Sequence, residues 1–300
     1  MKFTRHRAKL DSMNFTTLIG ASSLRELTGE PKMAVIDCRF DLRNPEGGRR
    51  AYVAGHIPGA RYADLNQDLS APIRPDSGRH PLPAPQVFAA TLDRLGIGNA
   101  TQVIAYDDAG GSFAARLWWM LRWLGHRSVA VLDGGIQAWM AVGGLEAGPE
   151  APLPEETDGR IRFLAKADST AVIDTPGIAA LLSDPRRLLV DARAAERYFG
   201  SVEPIDAVAG HIAGAVNHPF SSNLGKDGRF LPASELRRLW EALLAGREPA
   251  NVAAMCGSGV TACHNLLSLE VAALSGAKLY AGSWSEWIKD PNRPIARGAA

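Results

Sequence analysis

The chain is written twice. Ala34-Val35-Ile36-Asp37-Cys38-Arg39 returns as Leu188-Leu189-Val190-Asp191-Ala192-Arg193, and Gly55-His56-Ile57-Pro58-Gly59-Ala60 returns as Gly210-His211-Ile212-Ala213-Gly214-Ala215. Further on, Val103-Ile104-Ala105-Tyr106-Asp107 matches Val252-Ala253-Ala254-Met255-Cys256, and Asp133-Gly134-Gly135-Ile136-Gln137-Ala138-Trp139 matches Ala281-Gly282-Ser283-Trp284-Ser285-Glu286-Trp287. Order and approximate spacing are kept, so the fold must be one that half of the chain can build and the other half can build again. With 300 residues, each copy is long enough to bury its own core.

Within each copy, short apolar runs alternate with longer helical patterns. Val35 to Asp37, Val103 to Tyr106 and Val129 to Leu132 read as buried strands, with counterparts at Leu188 to Asp191, Val252 to Met255 and Lys278 to Tyr280. Ala114 to Leu124 reads as a thickly apolar helix, and its Trp118, Trp119 and Trp123 as core. Such βα alternation predicts an α/β protein of two tandem domains, each a mainly parallel sheet with helices on both faces. The stretch from Gly143 to Gly159 is rich in Gly, Pro and Glu and has no sustained periodicity. The expected division is a first domain over 15–145, a linker over 146–160 and a second domain over 161–295. Ser70 to Pro85, with six Pro or Gly residues, reads as an ordered or semi-ordered surface loop.

Charge and cysteine content exclude several classes. Lys and Arg total 33 against 32 acids, which is not the footprint of a nucleic-acid binder, and the basic first ten positions read as a frayed tail. That tail lacks the apolar core of a secretory signal, and no stretch approaches the roughly 18 apolar residues that span a bilayer. A cytoplasmic protein with no membrane partner is expected. Cys38, Cys256 and Cys263 are too few for a disulfide framework, none forms a Cys-x-x-Cys pair, and the seven histidines are scattered, so no metal is expected.

The chemistry is expected at Cys256. Ligands of parallel sheets gather at the carboxyl ends of strands, and Cys256 follows one such strand while Asp107 follows its counterpart. Cys256 opens Gly257-Ser258-Gly259-Val260-Thr261-Ala262, a glycine-rich turn leading into a helix. A thiol in that position sits among backbone N–H groups at a helix N-terminus, an arrangement that binds anions and favours thiolate over thiol. Glycines at 257 and 259 suit a tight turn with positive φ, and they let successive N–H groups point inward. Ser258 and Thr261 offer hydroxyls to the same ring. A carboxylate at Asp107 cannot store sulfur, so the first copy is expected to be catalytically silent.

The paired Asp-x-Arg and Gly-His-Ile-x-Gly-Ala signatures, the Cys256 loop and the closing Gly282-Ser283-Trp284-Ser285-Glu286-Trp287 resemble the tandem-domain rhodanese family over about residues 15 to 295. That family comprises thiosulfate and 3-mercaptopyruvate sulfurtransferases. The resemblance implies that Cys256 carries sulfane sulfur as a persulfide from a small-molecule donor to an acceptor such as a thiol, thioredoxin or cyanide, with no cofactor. A Gly-Ser pair after the cysteine looks like the mercaptopyruvate type. Thiosulfate enzymes tend to carry Arg-Lys there, and the uncharged loop suits a singly charged α-keto acid; a thiosulfate:cyanide sulfurtransferase is the alternative. Arg197 matches the arginine that reaches substrate in the family, and its fork suits a carboxylate. Some mercaptopyruvate enzymes place a second arginine nine positions further on, where this chain has Asp206. Trp284 and Trp287 match a segment that shapes the pocket.

Several residues receive plainer readings. Arg193 with Asp191, duplicated as Arg39 with Asp37, reads as an ion pair holding a strand end. His56 and His211 read as turn residues bonded to backbone; His56 with Ser258 would supply two parts of a Ser-His-Asp relay suggested by the resemblance, with only Glu46 near as an acid. Asp107 and Asp108 read as part of a solvated loop, and Cys38 and Cys263 as inert core. A cysteine-dependent phosphatase would need an arginine at position 262, which is Ala262. A non-enzymatic carrier or regulatory module on the same fold is disfavoured by the retained Cys256 loop and Arg197.

Overall fold

The computed structural model describes residues 14–150 and 162–298; the basic tail and most of the expected linker lie outside them. The first half contains β1 (Leu18–Ile19), α1 (Ala21–Leu27), β2 (Met33–Asp37), α2 (Gly47–Ala54), β3 (Arg61–Tyr62), α3 (Pro85–Arg94), β4 (Gln102–Tyr106), α4 (Ala114–Trp123), β5 (Val129–Leu132) and α5 (Gly135–Met140). The second continues with α6 (Thr175–Leu182), β6 (Leu188–Asp191), α7 (Ala195–Phe199), β7 (His211–Ile212), β8 (Val216–Asn217), α8 (Ala233–Leu244), β9 (Val252–Met255), α9 (Thr261–Val271), β10 (Lys278–Leu279), α10 (Ser283–Trp287) and β11 (Ile295–Ala296).

Two parallel sheets result, with orders β1-β5-β4-β2-β3 and β10-β9-β6-β8. They share one plan. The place of β1 is taken in the second half by a single parallel bridge, Val172 to Leu279, and the antiparallel β7–β11 pair has its first-half counterpart in a bridge from His56 to Glu146.

Each strand is apolar without interruption because both of its faces are covered. Val35, Ile104, Ala130 and Leu132 face a core private to the first half, and Leu189, Ala253 and Met255 one private to the second. Their neighbours Ile36, Val103, Ala105, Val129, Leu188, Val190, Val252 and Ala254 all face a single core shared by the two halves. The alternation is the period-two geometry of a strand. In α4 every residue but Arg122 is buried, including the three tryptophans, because α4 packs against α9 across the junction.

The stretch from Ser70 to Pro85 is a loop whose Pro72 to Asp76 are exposed as expected, but the rest of it departs from a surface position. Ser70, Ser77 and His80 are buried, and the segment lies against the second half. Of the expected linker, Glu146 and Glu150 accept N–H bonds from Gly59 and Tyr62, so its described part runs along the first half. Among the described residues no helix is long and apolar enough to cross a membrane.

Candidate active site

β9 ends at Met255, and Cys256, 2% exposed, begins the turn that feeds α9. Only Gly259 of the two loop glycines has positive φ, +76°, which corrects the expectation for Gly257. A Cβ on Gly259 would lie 2.6 Å from the Ala281 carbonyl oxygen, so the turn needs glycine both for its backbone angle and for the approach of a neighbouring chain segment. That segment staples the loop. Cys256 N–H donates to Ser283 Oγ (3.1 Å), while Trp284 N–H and Ser285 N–H donate to the carbonyls of Cys256 and Gly257 at 3.0 and 2.9 Å. Trp284 and Trp287 are core residues that support the loop from behind, and the Trp284 indole donates to the Val208 carbonyl.

The silent copy shows what this turn does when it holds an anion. Asp107 is not solvated as expected: fully buried after β4, it accepts N–H bonds from Ala109 and Gly111 on Oδ1 and from Phe113 and Ala114 on Oδ2, all between 2.8 and 2.9 Å. Burial pushes its carboxyl pKa up, and the four donors work against that push. The nest of the first half is filled by its own side chain.

Three side chains from the first half reach the Cys256 loop. His80 Nδ1 lies 2.7 Å from Ser258 Oγ. Burial first, then the charges of Arg116 and Arg79, push the pKa of His80 down to about 3, so the ring is neutral near pH 7. Arg116 on α4 is completely buried and donates to the carbonyls of Gly259 (3.0 Å), Leu69 and His80. Burial pushes its pKa down, against the pull of the Cys263 and Cys256 sulfurs. Arg79 donates to Asp206 at 2.5 Å, and its backbone N–H is held by Ser285 Oγ.

Arg197 stands beside the loop as expected, yet its guanidinium is already engaged. Nε and Nη2 grip Glu203, and Nη2 also donates to Asp206 at 2.9 Å. Glu203 is held below the usual carboxylate range; its burial opposes the shift, and the Arg197 bond is the first of the contacts that outweigh it. Arg193 chelates Asp191 and donates to the Gly210 carbonyl, just as Arg39 chelates Asp37 and donates to the Gly55 carbonyl. Thus both are struts. His56 and His211 are the same kind of part: each stacks on a tyrosine, Tyr52 or Tyr198, and bonds that tyrosine's carbonyl through Nδ1 at 2.8 Å.

The comparisons agree with this geometry. The family model described as Rhodanese-like domain matches residues 20–142 and again 176–290. The chain belongs to the rhodanese family. It is similar to a probable 3-mercaptopyruvate sulfurtransferase of Pseudomonas aeruginosa, 49% identical over 95% of this chain and all of that one. It also resembles the human 3-mercaptopyruvate sulfurtransferase, 37% identical over 89% of each chain, and the thiosulfate sulfurtransferase of Bos taurus, 34% identical over 89% of each. Among solved structures, the 3-mercaptopyruvate sulfotransferase SseA from Escherichia coli matches with TM-score 0.75 and 33% identity, covering 90% of this chain and all of that one.

In this member of the family the sequence pointed to one side of the site and missed the other. Cys256, Gly257, Ser258, Gly259, Val260, Thr261 and Arg197 come together, whereas the histidine beside Ser258 is His80 and not His56. His80, Arg79 and Arg116 carry no local pattern because their side-chain partners in the second half lie 143 to 178 positions away, or 127 for Asp206. Two signals were present: an arginine, Arg116, among the apolar residues that open α4, and an aspartate at 206 where a second cation was looked for. Cys38 and Cys263 are buried among apolar groups, which pushes both thiols up, Cys263 to about 12. Among the described residues no group of three or more His, Cys, Asp or Glu could hold a metal.

Proposed function

We propose that the chain is a sulfurtransferase that moves sulfur from 3-mercaptopyruvate to a thiol, thioredoxin or cyanide through a persulfide on Cys256. Residues 15–145 form the silent unit, 161–295 the reactive one, and 146–160 join them. The observation that carries this reading is the pair of equivalent turns: one is filled by a carboxylate bonded to four N–H groups, the other presents a thiol. A turn that holds a negative charge in one copy is suited to hold a thiolate or persulfide in the other.

In the first half-reaction the Cys256 thiolate attacks the donor sulfur. The S–S bond forms, the bond from sulfur to C3 breaks, and its electron pair stays on carbon as the enolate of pyruvate. The thiol proton of the donor must then move to that carbon. Ser258 and neutral His80, 2.7 Å apart, offer a hydroxyl and an imidazole to relay it. Arg197 holds the keto-acid carboxylate. In the second half-reaction an acceptor thiolate or cyanide attacks the outer sulfur of the persulfide and returns Cys256 as thiolate. A free thiol of this kind suits the reducing cytoplasm.

Parallel kcat/KM measurements with 3-mercaptopyruvate and thiosulfate test the donor, and a preference for thiosulfate would overturn it. Cys256→Ser is expected to abolish turnover while leaving the unfolding midpoint unchanged. Sulfur transfer persisting in that variant would refute the persulfide.

A further inference from the structure

We propose that Arg116, reaching in from the silent half, is the fixed counter-charge of the Cys256 sulfur: it straps the reactive turn by the Gly259 carbonyl and favours the anionic form in which that sulfur attacks and is carried. The inference rests on the persulfide reading above and names a positioning residue for it.

The two halves strap each other's turns. Where α4 packs on α9 across the junction, each helix sends one side chain to a carbonyl in the other half's turn. From α9, His264 Nε2 bonds the Gly110 carbonyl of the silent turn at 3.0 Å; from α4, Arg116 Nη1 donates to the Gly259 carbonyl of the reactive turn, also at 3.0 Å. The straps differ in charge. Burial keeps the His264 imidazole neutral near pH 7, whereas a guanidinium holds its proton even where burial opposes it. Arg116 is third in α4 and Cys263 third in α9, so the duplicated helices put a cation in one copy where the other has a thiol.

A buried cation is costly unless a negative group lies near it. Arg116 is completely buried, its hydrogen-bond acceptors are three neutral carbonyls, and it makes no ion pair among the described residues. Its Nε is buried with no hydrogen-bond partner. The ionisable groups whose charge it feels are two sulfurs, Cys263 and Cys256. Cys263 donates its S–H to the same Gly259 carbonyl and stays a thiol, since burial pushes it up to about 12. The other charged or titratable groups that face the turn are already accounted for: Arg79 is paired with Asp206, Arg197 with Glu203 and Asp206, and His80 is neutral. Cys256 is therefore the group whose charge can balance Arg116. The asymmetry of the straps follows the chemistry. Asp107 brings the silent turn a charge of its own, held by four N–H groups, and a neutral strap suffices there. The reactive turn is charged only while Cys256 is thiolate or persulfide, and its strap is a cation.

Iodoacetamide, a neutral reagent that reacts with thiolate, tests the charge without any sulfur donor. Alkylation of Cys256 is followed by peptide mass against pH in the native protein, in Arg116→Met and in Arg116→Lys. At equal pH below the plateau, Arg116→Met is expected to react about 10-fold more slowly, the scale of one charge acting across several ångströms of protein, with Arg116→Lys in between and the plateau unchanged. A merely structural loss would open the buried thiol and speed alkylation at every pH, so equal or faster alkylation in Arg116→Met overturns the proposal. Cys256→Asp and Cys256→Asn in the otherwise native chain carry the test even if Arg116→Met does not fold. The carboxylate should melt about 3–6 °C above its amide isostere at pH 7, the equivalent of a tenfold preference for the charged form, and equal midpoints would overturn the proposal. In turnover, Arg116→Met should lower kcat with 3-mercaptopyruvate about 10-fold and leave KM within about threefold, because Arg116 lies beneath the turn and not on the donor. A loss confined to KM would count against it. The mass of the Cys256 peptide after donor treatment is read separately: alkylation that depends on Arg116 in a protein that takes up no sulfur would refute the persulfide alone.

Discussion

The two loop glycines should fail in opposite ways. Alanine at 259 must adopt φ near +76°, at a cost of about 1–2 kcal/mol for an L side chain. Its methyl would also meet backbone, 2.6 Å from the Ala281 oxygen and 2.9 Å from its Cα, and forcing backbone apart typically adds about 1–3 kcal/mol. The sum, about 2–5 kcal/mol, is a large part of the ~5–15 kcal/mol that holds a domain together. At about 2–4 °C per kcal/mol for a domain of this size, Gly259→Ala should lower the melting midpoint by about 4–20 °C. Position 257 is different. Its φ is not in the left-handed region, and a methyl there meets only the ends of Arg79 and Arg197, which can swing aside. Gly257→Ala should therefore keep its stability to within about 0.5 kcal/mol, or about 1–2 °C of midpoint, yet raise KM for the sulfur donor about tenfold by crowding the two guanidinium groups. Differential scanning calorimetry and steady-state kinetics on the two variants decide the matter. Equal thermal losses, or a Gly259→Ala protein as stable as the native one, would show that the close approach to Ala281 does not govern this turn.

Acid should destabilise the fold through two buried histidines. The pKa of His80 is pushed down to about 3 and that of His264 to about 4, both chiefly by burial, so between those values and about 6.5 the unfolded chain binds more protons and stability falls as pH falls. At pH 5 each is expected to have lost about 2 kcal/mol relative to pH 7, and urea titrations of the native protein and of His264→Gln should show the loss between pH 7 and 5 smaller by about 2 kcal/mol in the variant. Over the same range His80 stays neutral, so an activity loss between pH 8 and 5 that disappears in His80→Gln would contradict the assignment. Asp107→Ala leaves four N–H groups, those of Gly111 and Ala114 buried, without their acceptor; we expect a loss of about 2–5 kcal/mol in denaturant unfolding, with kcat/KM of the surviving folded protein within about threefold of native. Equal stability would mean that the turn does not need its anion.

How much of this was legible follows from where the information sits. The strand boundaries at Leu188–Asp191 and Val252–Met255 were readable because a strand covered on both faces is apolar at every position. Cys256 and its turn were readable because glycine, thiol and helix start are contiguous. The stretch from Ser70 to Pro85 was read rightly as a loop, but the burial around Ser77 to His80 was not legible, for a physical reason: proline and glycine fix local backbone angles and say nothing about what later covers them. Its Arg79 and His80 acquire meaning only when the second half packs on, through Asp206 and Ser258. Arg116 was readable in principle. A guanidinium among Ala114, Ala115, Leu117 and Trp118 has to find carbonyls or acids somewhere, and it found three carbonyls, one of them in the other half.

The duplication also accounts for why a silent copy persists. Each half covers the equivalent turn of the other: the stretch over Ser77–His80 lies on the Cys256 loop, while Leu224 and Gly228 close over Gly110 beside Asp107, where His264 on α9 bonds the Gly110 carbonyl. A nest of N–H groups needs a charge inside it and a cover outside it. In the first copy a carboxylate supplies the charge permanently, so that turn can be closed over and used as packing. The second copy must let its charge come and go as sulfur arrives and leaves, and its cover is correspondingly polar, made of Arg79, His80 and Arg116. The silent half is thus the other wall of the site, and a second half expressed alone would keep its cysteine but lose three of the side chains that surround it.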